Sequence, residues 1–202
     1  VLILIALAFN LIAPIFALRW TQAPFLGAFF WPRLIASSSF NPGWEAIQLG
    51  LQTGDALKAV DDVPVTSGRE LFLYLRDQNV GDSVELSLER LNTQPGEVAD
   101  PIVVSLSTFA PQDFLVFFWL PYGIGIFYLT MGLLVYRLRG AGHGGAAFVA
   151  FCVFGSIVTA GIFDLYTLHF LPPLWALVFP LIGAGLIHLA FVFPIRTRLA
   201  RQ

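Results

Sequence analysis

Four stretches of the chain are almost purely apolar, and the long segment between the first two is not. Val1 to Leu18 is interrupted only by Asn10 and Pro14 and closes on Arg19 and Trp20. Phe114 to Tyr136 carries no charge and places Trp119 and Tyr122 near its start, where amphipathic rings suit the headgroup level. Ala146 to Phe163, extending toward Leu165, is a third run, and Leu174 to Phe193 is a fourth, interrupted by Pro180, by Gly183, Ala184 and Gly185, and by His188. A hydrocarbon core of ~30 Å takes about 20 helical residues, so each run predicts a membrane span. The expected layout is a signal-anchor helix at 1–19, then helices at 113–136, 146–165 and 174–194. For the first run, a secretory signal peptide is a competing reading, since its apolar region is also short.

The segment from 20 to 112 has other periods. "ALKAVDDVPV" alternates and turns at Asp61-Asp62, as a strand pair does. "SGRELFLYLRDQ" starts on Ser67, has Glu70 three residues on, and spaces Leu71 and Leu75 one helical turn apart, which predicts a capping box and an amphipathic helix. "VGDSVELSLERL" alternates Val84, Leu86 and Leu88 with polar residues, a half-buried strand, and "PIVVSLSTF" reads as a closing strand. The fold class expected is therefore an α-helical membrane protein of about four spans with a small α+β domain inserted after the first.

Composition sharpens this picture. The 202 residues are 57% hydrophobic and 12% charged, against roughly 25% charged in soluble domains. Twelve of the 13 acidic residues lie between Glu45 and Asp113, and Asp164 is the exception. The basic residues after Asp113 are Arg137 and Arg139 in the 137–145 loop and Arg196, Arg198 and Arg201 in the 195–202 tail, whereas "DLYTLHFLPP", with the 166–173 loop, has neither Lys nor Arg. The positive-inside rule assigns the arginine-bearing side to the cytoplasm, which puts residues 20–112 on the opposite, extracytoplasmic side. The lack of an initiator Met and the end on "RTRLARQ" suggest a piece of something longer.

Within the inserted domain, "AIQLGLQTGDALKAVDDVPVTSGRELFLYLRDQNVGDSVELSLER" resembles the PDZ domains of bacterial envelope proteins. Its elements are Gly50-Leu51, Gly54-Asp55, a strand into an Asp-rich turn, a Leu-bearing helix and Val80-Gly81-Asp82. Gly54 and Gly81 suit tight connections, and Asp55 suits acceptance of backbone N–H bonds. The resemblance implies a PDZ-like fold that binds a peptide or protein segment by adding a strand beside a helix, or that packs against a partner or its own helices. It implies a carboxylate-binding loop and edge strand at Leu26, Gly27, Ala28 and Phe29, with Leu71 and Leu75 lining the helix side. Pro32 departs from the pattern, because it cannot donate a ladder hydrogen bond. The order of span, "FNPGWEAIQLGLQTGD", and spans bearing "FDLY" and "HLAFVFP" also resembles the N-terminal sensory region of bacterial multi-span signalling proteins, sensor histidine kinases above all. This resemblance implies a sensor in the bacterial cytoplasmic membrane whose output domain follows residue 202; the alternative is a non-signalling membrane-anchored adaptor.

Catalytic chemistry has little to stand on. The three histidines, His143, His169 and His188, are not followed by Glu, so the zinc-protease motif H-E-x-x-H is absent, as is G-x-S-x-G. "GAGHGG" at 140–145 matches a dinucleotide fingerprint in letters but lies between spans rather than in a βαβ unit. A single cysteine, Cys152, rules out a disulfide framework within the chain and reads as core. No enzyme activity, cofactor or metal is expected of these residues. The partners expected are membrane lipid and a peptide or protein segment, not nucleic acid, and a homodimer stays open. His188 is read as a packing or interhelical hydrogen-bonding group, with sensing or signal relay as the alternative, Asn10 as a bond to another helix, and Asp164 and His169 as interfacial anchors, with a local pair or pH-sensitive point as the alternative.

Overall fold

A computed structural model describes residues 1–90, 97–98, 100–139 and 143–192. The tail arginines Arg196, Arg198 and Arg201, and Gly140, Ala141 and Gly142 of "GAGHGG", lie outside the described residues. In chain order the elements are α1 (Leu2–Trp20), β1 (Phe30–Trp31), β2 (Ile35–Ala36), α2 (Glu45–Gln48), β3 (Ala56–Val60), β4 (Val63–Pro64), α3 (Gly68–Arg76), β5 (Ser83–Arg90), β6 (Glu97–Val98), β7 (Ile102–Ser105) and α4 (Pro111–Phe114). A π-helical turn, Leu115–Trp119, leads into α5 (Leu120–Arg139), followed by α6 (His143–Ala160), α7 (Ile162–Tyr166) and α8 (Pro172–Val192).

Among the described residues, four helical segments are long and apolar enough to cross a membrane: Leu2–Trp20, Pro111–Leu138, Gly144–Tyr166 and Pro172–Phe191. A helix bonds every interior backbone group to itself, as hydrocarbon demands. The chain divides into two compact units. One comprises Val1–Ile15, Val116–Ile162 and the described residues from Pro173 on; the other comprises Phe16–Leu115 and Phe163–Pro172.

In the helical unit, close approach depends on small residues. A Cβ on Gly125 would lie 2.9 Å from Thr159 Oγ1 and 3.1 Å from the Ser156 carbonyl, and one on Gly132 would lie 3.0 Å from Cys152 Cβ. These glycines let α5 and α6 pack backbone to backbone, the packing that apolar solvent favours. The core here gathers Ala6, Leu129, Val149, Val153, Ile157, Val158 and Val178. Asn10 is buried and donates through Nδ2 to Ser156 Oγ at 2.8 Å and to the Ala6 carbonyl at 2.8 Å, so it does bond another helix. The Tyr122 hydroxyl donates to the Asn10 carbonyl at 2.9 Å. Cys152 is buried, its Cβ facing Gly132. His188, expected to pack or bond between helices, instead sits on an exposed face of α8.

The second unit is built on one antiparallel sheet. Its strands run β1-β2-β3-β5-β6, with β4 pairing β3 and β7 pairing β5. The β3–β4 turn places Asp61 and Asp62 at φ +48° and +61°, the two left-handed residues of a hairpin turn. Strand β5 buries Val84, Leu86 and Leu88 on one face, as its alternation predicts. Asp55 is buried and accepts the Gln52 N–H at 2.9 Å, which closes the turn before β3. Helix α3 starts on Ser67, whose hydroxyl accepts the Glu70 N–H. Glu70 returns to the N–H and hydroxyl of Thr66, one residue earlier than a capping box requires. Helix α3 buries Leu71 and Leu75 against a core that includes Leu26, Leu57, Val84, Leu86 and Val104. Each such side chain contributes about 1.5–3 kcal/mol through burial.

Two fixed points hold the loops before β1 and before α2. Phe25 exchanges backbone hydrogen bonds with Ser107 at 2.7 and 3.0 Å. The loop ahead of α2 is held by Asp113, whose Oδ2 accepts Trp44 Nε1–H at 2.7 Å while Oδ1 accepts Asn41 Nδ2–H at 2.9 Å.

Candidate functional site: a cleft between a helix and a strand edge

Strand β1 has two residues because Pro32 follows Trp31 and the chain then turns through Arg33 and Leu34, at φ +70° and +57°. Phe29 O accepts the Ser37 N–H at 2.9 Å, on the side of β2. Phe30 pairs with Ala36 in the next position of the register. Backbone groups alternate along an antiparallel ladder, so the Phe30 carbonyl points to the opposite, outer edge. That outer edge and α3 flank a narrow cleft.

Of the residues expected at a binding groove, four meet there. Leu26, Ala28, Leu71 and Leu75 line one cavity of about 30 Å³, together with Phe30, Leu34, Gly68 and Phe72. A volume of that size holds a water or two. Gly27 and Phe29 do not line it. A Cβ on Gly27 would meet Ala46 N at 3.0 Å, so this glycine faces α2; its φ of +79° also suits glycine. Phe29 turns to an aromatic cluster, with ring centroids 4.9 Å from Trp44, 5.6 Å from Phe109 and 5.5 Å from Tyr166. The period of two that puts Ala28 and Phe30 on the cleft puts Phe29 on the other face. Among the described residues, the backbone N–H groups of Leu26, Gly27 and Ala28 make no hydrogen bond.

The rest of the cleft wall comes from far along the chain. Tyr166 and Thr167 line the cavity, and His169 Nε2 lies 2.8 Å from the Phe30 carbonyl. A carbonyl only accepts, so Nε2 carries the proton. Gly68 makes room for this segment: a Cβ there would lie 2.5 Å from both the Thr167 carbonyl and His169 Nδ1. The segment 163–172 is itself folded. Asp164 O accepts the His169 N–H at 3.0 Å, Asp164 Oδ2 accepts the Leu171 N–H at 2.7 Å, and Thr167 Oγ1 donates to Phe163 O. Its rings join the aromatic cluster, Phe163 edge-on to Trp20 at 5.3 Å and Tyr166 stacked on Phe29. Ser39 Oγ donates to the Tyr166 hydroxyl at 3.2 Å.

Asp164 and His169 thus have defined partners within this unit. Burial pushes the pKa of His169 below its ordinary value, against the opposing pull of the Phe30 carbonyl and of Asp164. No protein-family model matches the chain, and no curated protein is significantly similar to it. Among the described residues, no group of three or more His, Cys, Asp or Glu side chains is placed to hold a metal ion.

Sequence reasoning missed Phe30, Gly68 and the 166–169 segment as parts of the cleft.

Proposed function

We propose that the chain is the membrane-embedded input region of a signalling protein, whose sheet-bearing unit is a PDZ-like domain outside the cytoplasm that binds an extended peptide ending in a free carboxylate. The reading rests first on the cleft between α3 and the outer edge of β1. Beside it, among the described residues, the backbone N–H groups of Leu26, Gly27 and Ala28 make no hydrogen bond, and Gly27 has a positive φ. Such a nest suits an anion. Leu26, Leu71 and Leu75 would receive an apolar terminal side chain, and the Phe30 edge would extend the ladder by one strand. The five arginines on one side of the spans support an extracytoplasmic domain in a bacterial cytoplasmic membrane.

The reading makes a direct demand. The full chain in lipid nanodiscs, panned against phage-displayed random heptapeptides with free C termini, should enrich apolar terminal residues. Amidating the enriched peptide should weaken binding at least tenfold. Enrichment of nothing, on this chain and on variants that open the cleft, would sink the proposal. A peptide that binds without altering hydrogen exchange in α6 or α8 would leave a membrane-anchored adaptor instead.

A further inference from the structure

The proposed groove is not empty of protein. Three observations concern the same short segment. The His169 side chain bonds the Phe30 carbonyl, the outward group an added strand would use. Gly68, on the opposite wall, is approached so closely by Thr167 and His169 that any side chain there would collide with them. What remains of the cleft is about 30 Å³, walled on one side by Tyr166 and Thr167. His169 adopts φ +55°, a left-handed conformation uncommon for a residue with a side chain, so the segment is held in this arrangement by its surroundings.

We propose that Tyr166–His169 is a built-in latch: an intramolecular occupant of the cleft between α3 and β1 that an incoming peptide has to displace. The proposal rests on the reading of that cleft as a peptide site and adds how the site is regulated. The latch lies between α6 and α8 in the chain, so displacing it frees the segment that joins the third and fourth spans. A cleft open in only a fraction of molecules binds with its intrinsic affinity reduced by that fraction, and opening it restores the difference.

Two variants release the latch from opposite walls: Gly68→Ala on α3 and His169→Ala on the segment itself. Diethylpyrocarbonate modification of His169, read by mass spectrometry on the full chain in nanodiscs, reports docking without any peptide. His169 should react slowly in the wild type and at least fivefold faster in Gly68→Ala. The enriched heptapeptide should bind each single variant about tenfold tighter than the wild type, and the double variant no tighter than the better single one, because both break one contact. In the wild type, saturating peptide should itself speed His169 modification, a readout that depends on no variant folding.

The outcomes separate the two ideas. A peptide that binds all forms within twofold and leaves His169 modification unchanged overturns the latch and leaves the peptide site standing. Fast modification of His169 in the wild type overturns the latch whatever binds. No peptide binding to any form overturns the site and the latch with it.

Discussion

Asp113 offers a direct test of how the sheet-bearing unit is held together. Its carboxylate takes two hydrogen bonds from one loop, Trp44 Nε1–H at 2.7 Å and Asn41 Nδ2–H at 2.9 Å, and Asp113 itself is buried. Asp113→Ala removes both acceptors. Trp44 is buried among Phe25, Phe29 and Phe109, so its indole N–H would have no water to turn to. A buried donor left unpaired costs about 1–3 kcal/mol. Asn41 is half-buried, and its Oδ1 already accepts the Gly43 N–H, so its amide turns to water at a smaller cost. The sum is roughly 2–4 kcal/mol, a roughly 30- to 800-fold change in an opening equilibrium at 1.4 kcal/mol per decade. Hydrogen exchange of amides in β3 and β5, measured on the full chain in nanodiscs, should accelerate by that range. Asp113→Asn keeps one acceptor oxygen and turns an NH2 toward the other donor, so it should fall between wild type and alanine. An alanine variant whose exchange rises less than threefold would refute the reasoning, since the carboxylate would then have been holding nothing.

Two further predictions follow from single contacts. Asn10→Ala removes the interhelical bond to Ser156 and should destabilise the helical unit by about 0.6–2 kcal/mol; an unchanged unfolding midpoint in a detergent titration would count against the bond. His169 has a pKa depressed by burial from 6.5, so docking of 163–172 favours the neutral ring. Its stabilisation is complete above about pH 6.5 and is lost as pH falls through the lowered value, with Asp164 the charged group facing the ring. Exchange in residues 163–172, corrected for intrinsic rates, should therefore rise between pH 7.5 and 5, and His169→Gln should abolish the dependence; protection that strengthens in acid would reverse the sign and refute it.

The spans could be read from sequence because an apolar run of about 20 residues has few structures open to it. The turns at Gly54 and Gly81 were legible for a local reason: both take positive φ, at +95° and +98°. So were the Asp61-Asp62 turn and the Ser67 cap, each set by residues within four positions. Asn10 announced itself as a polar residue in an apolar run, but its partner Ser156 lies 146 positions away and nothing local points to it. The same limit hid the cleft. "DLYTLHFLPP" looks like a bare connector, yet its polar groups are engaged: Asp164 on Leu171, Thr167 on Phe163 and His169 on Phe30. A family motif read as a continuous stretch puts Phe29 at the groove, whereas the pleat turns it to Tyr166 and Trp44.

A latch in the proposed binding site also bears on how a sensor of this design would transmit. A ligand shifts a conformational equilibrium only by its difference in affinity for the two states. Where a ligand merely prefers one of two open arrangements, that difference is small. Where the ligand and the Tyr166–His169 segment need the same Phe30 carbonyl and the same space beside Gly68, the latched state cannot bind it, and the difference takes the ligand's full binding free energy. The cost falls on apparent affinity: a latch closed in 99 of 100 molecules weakens binding about a hundredfold. Strengthening the latch therefore lowers sensitivity while it reduces output without ligand. On the proposed latch, Gly68 and His169 would set that balance from the two walls of the cleft, so substitutions there should move basal output and ligand affinity together, in the same direction.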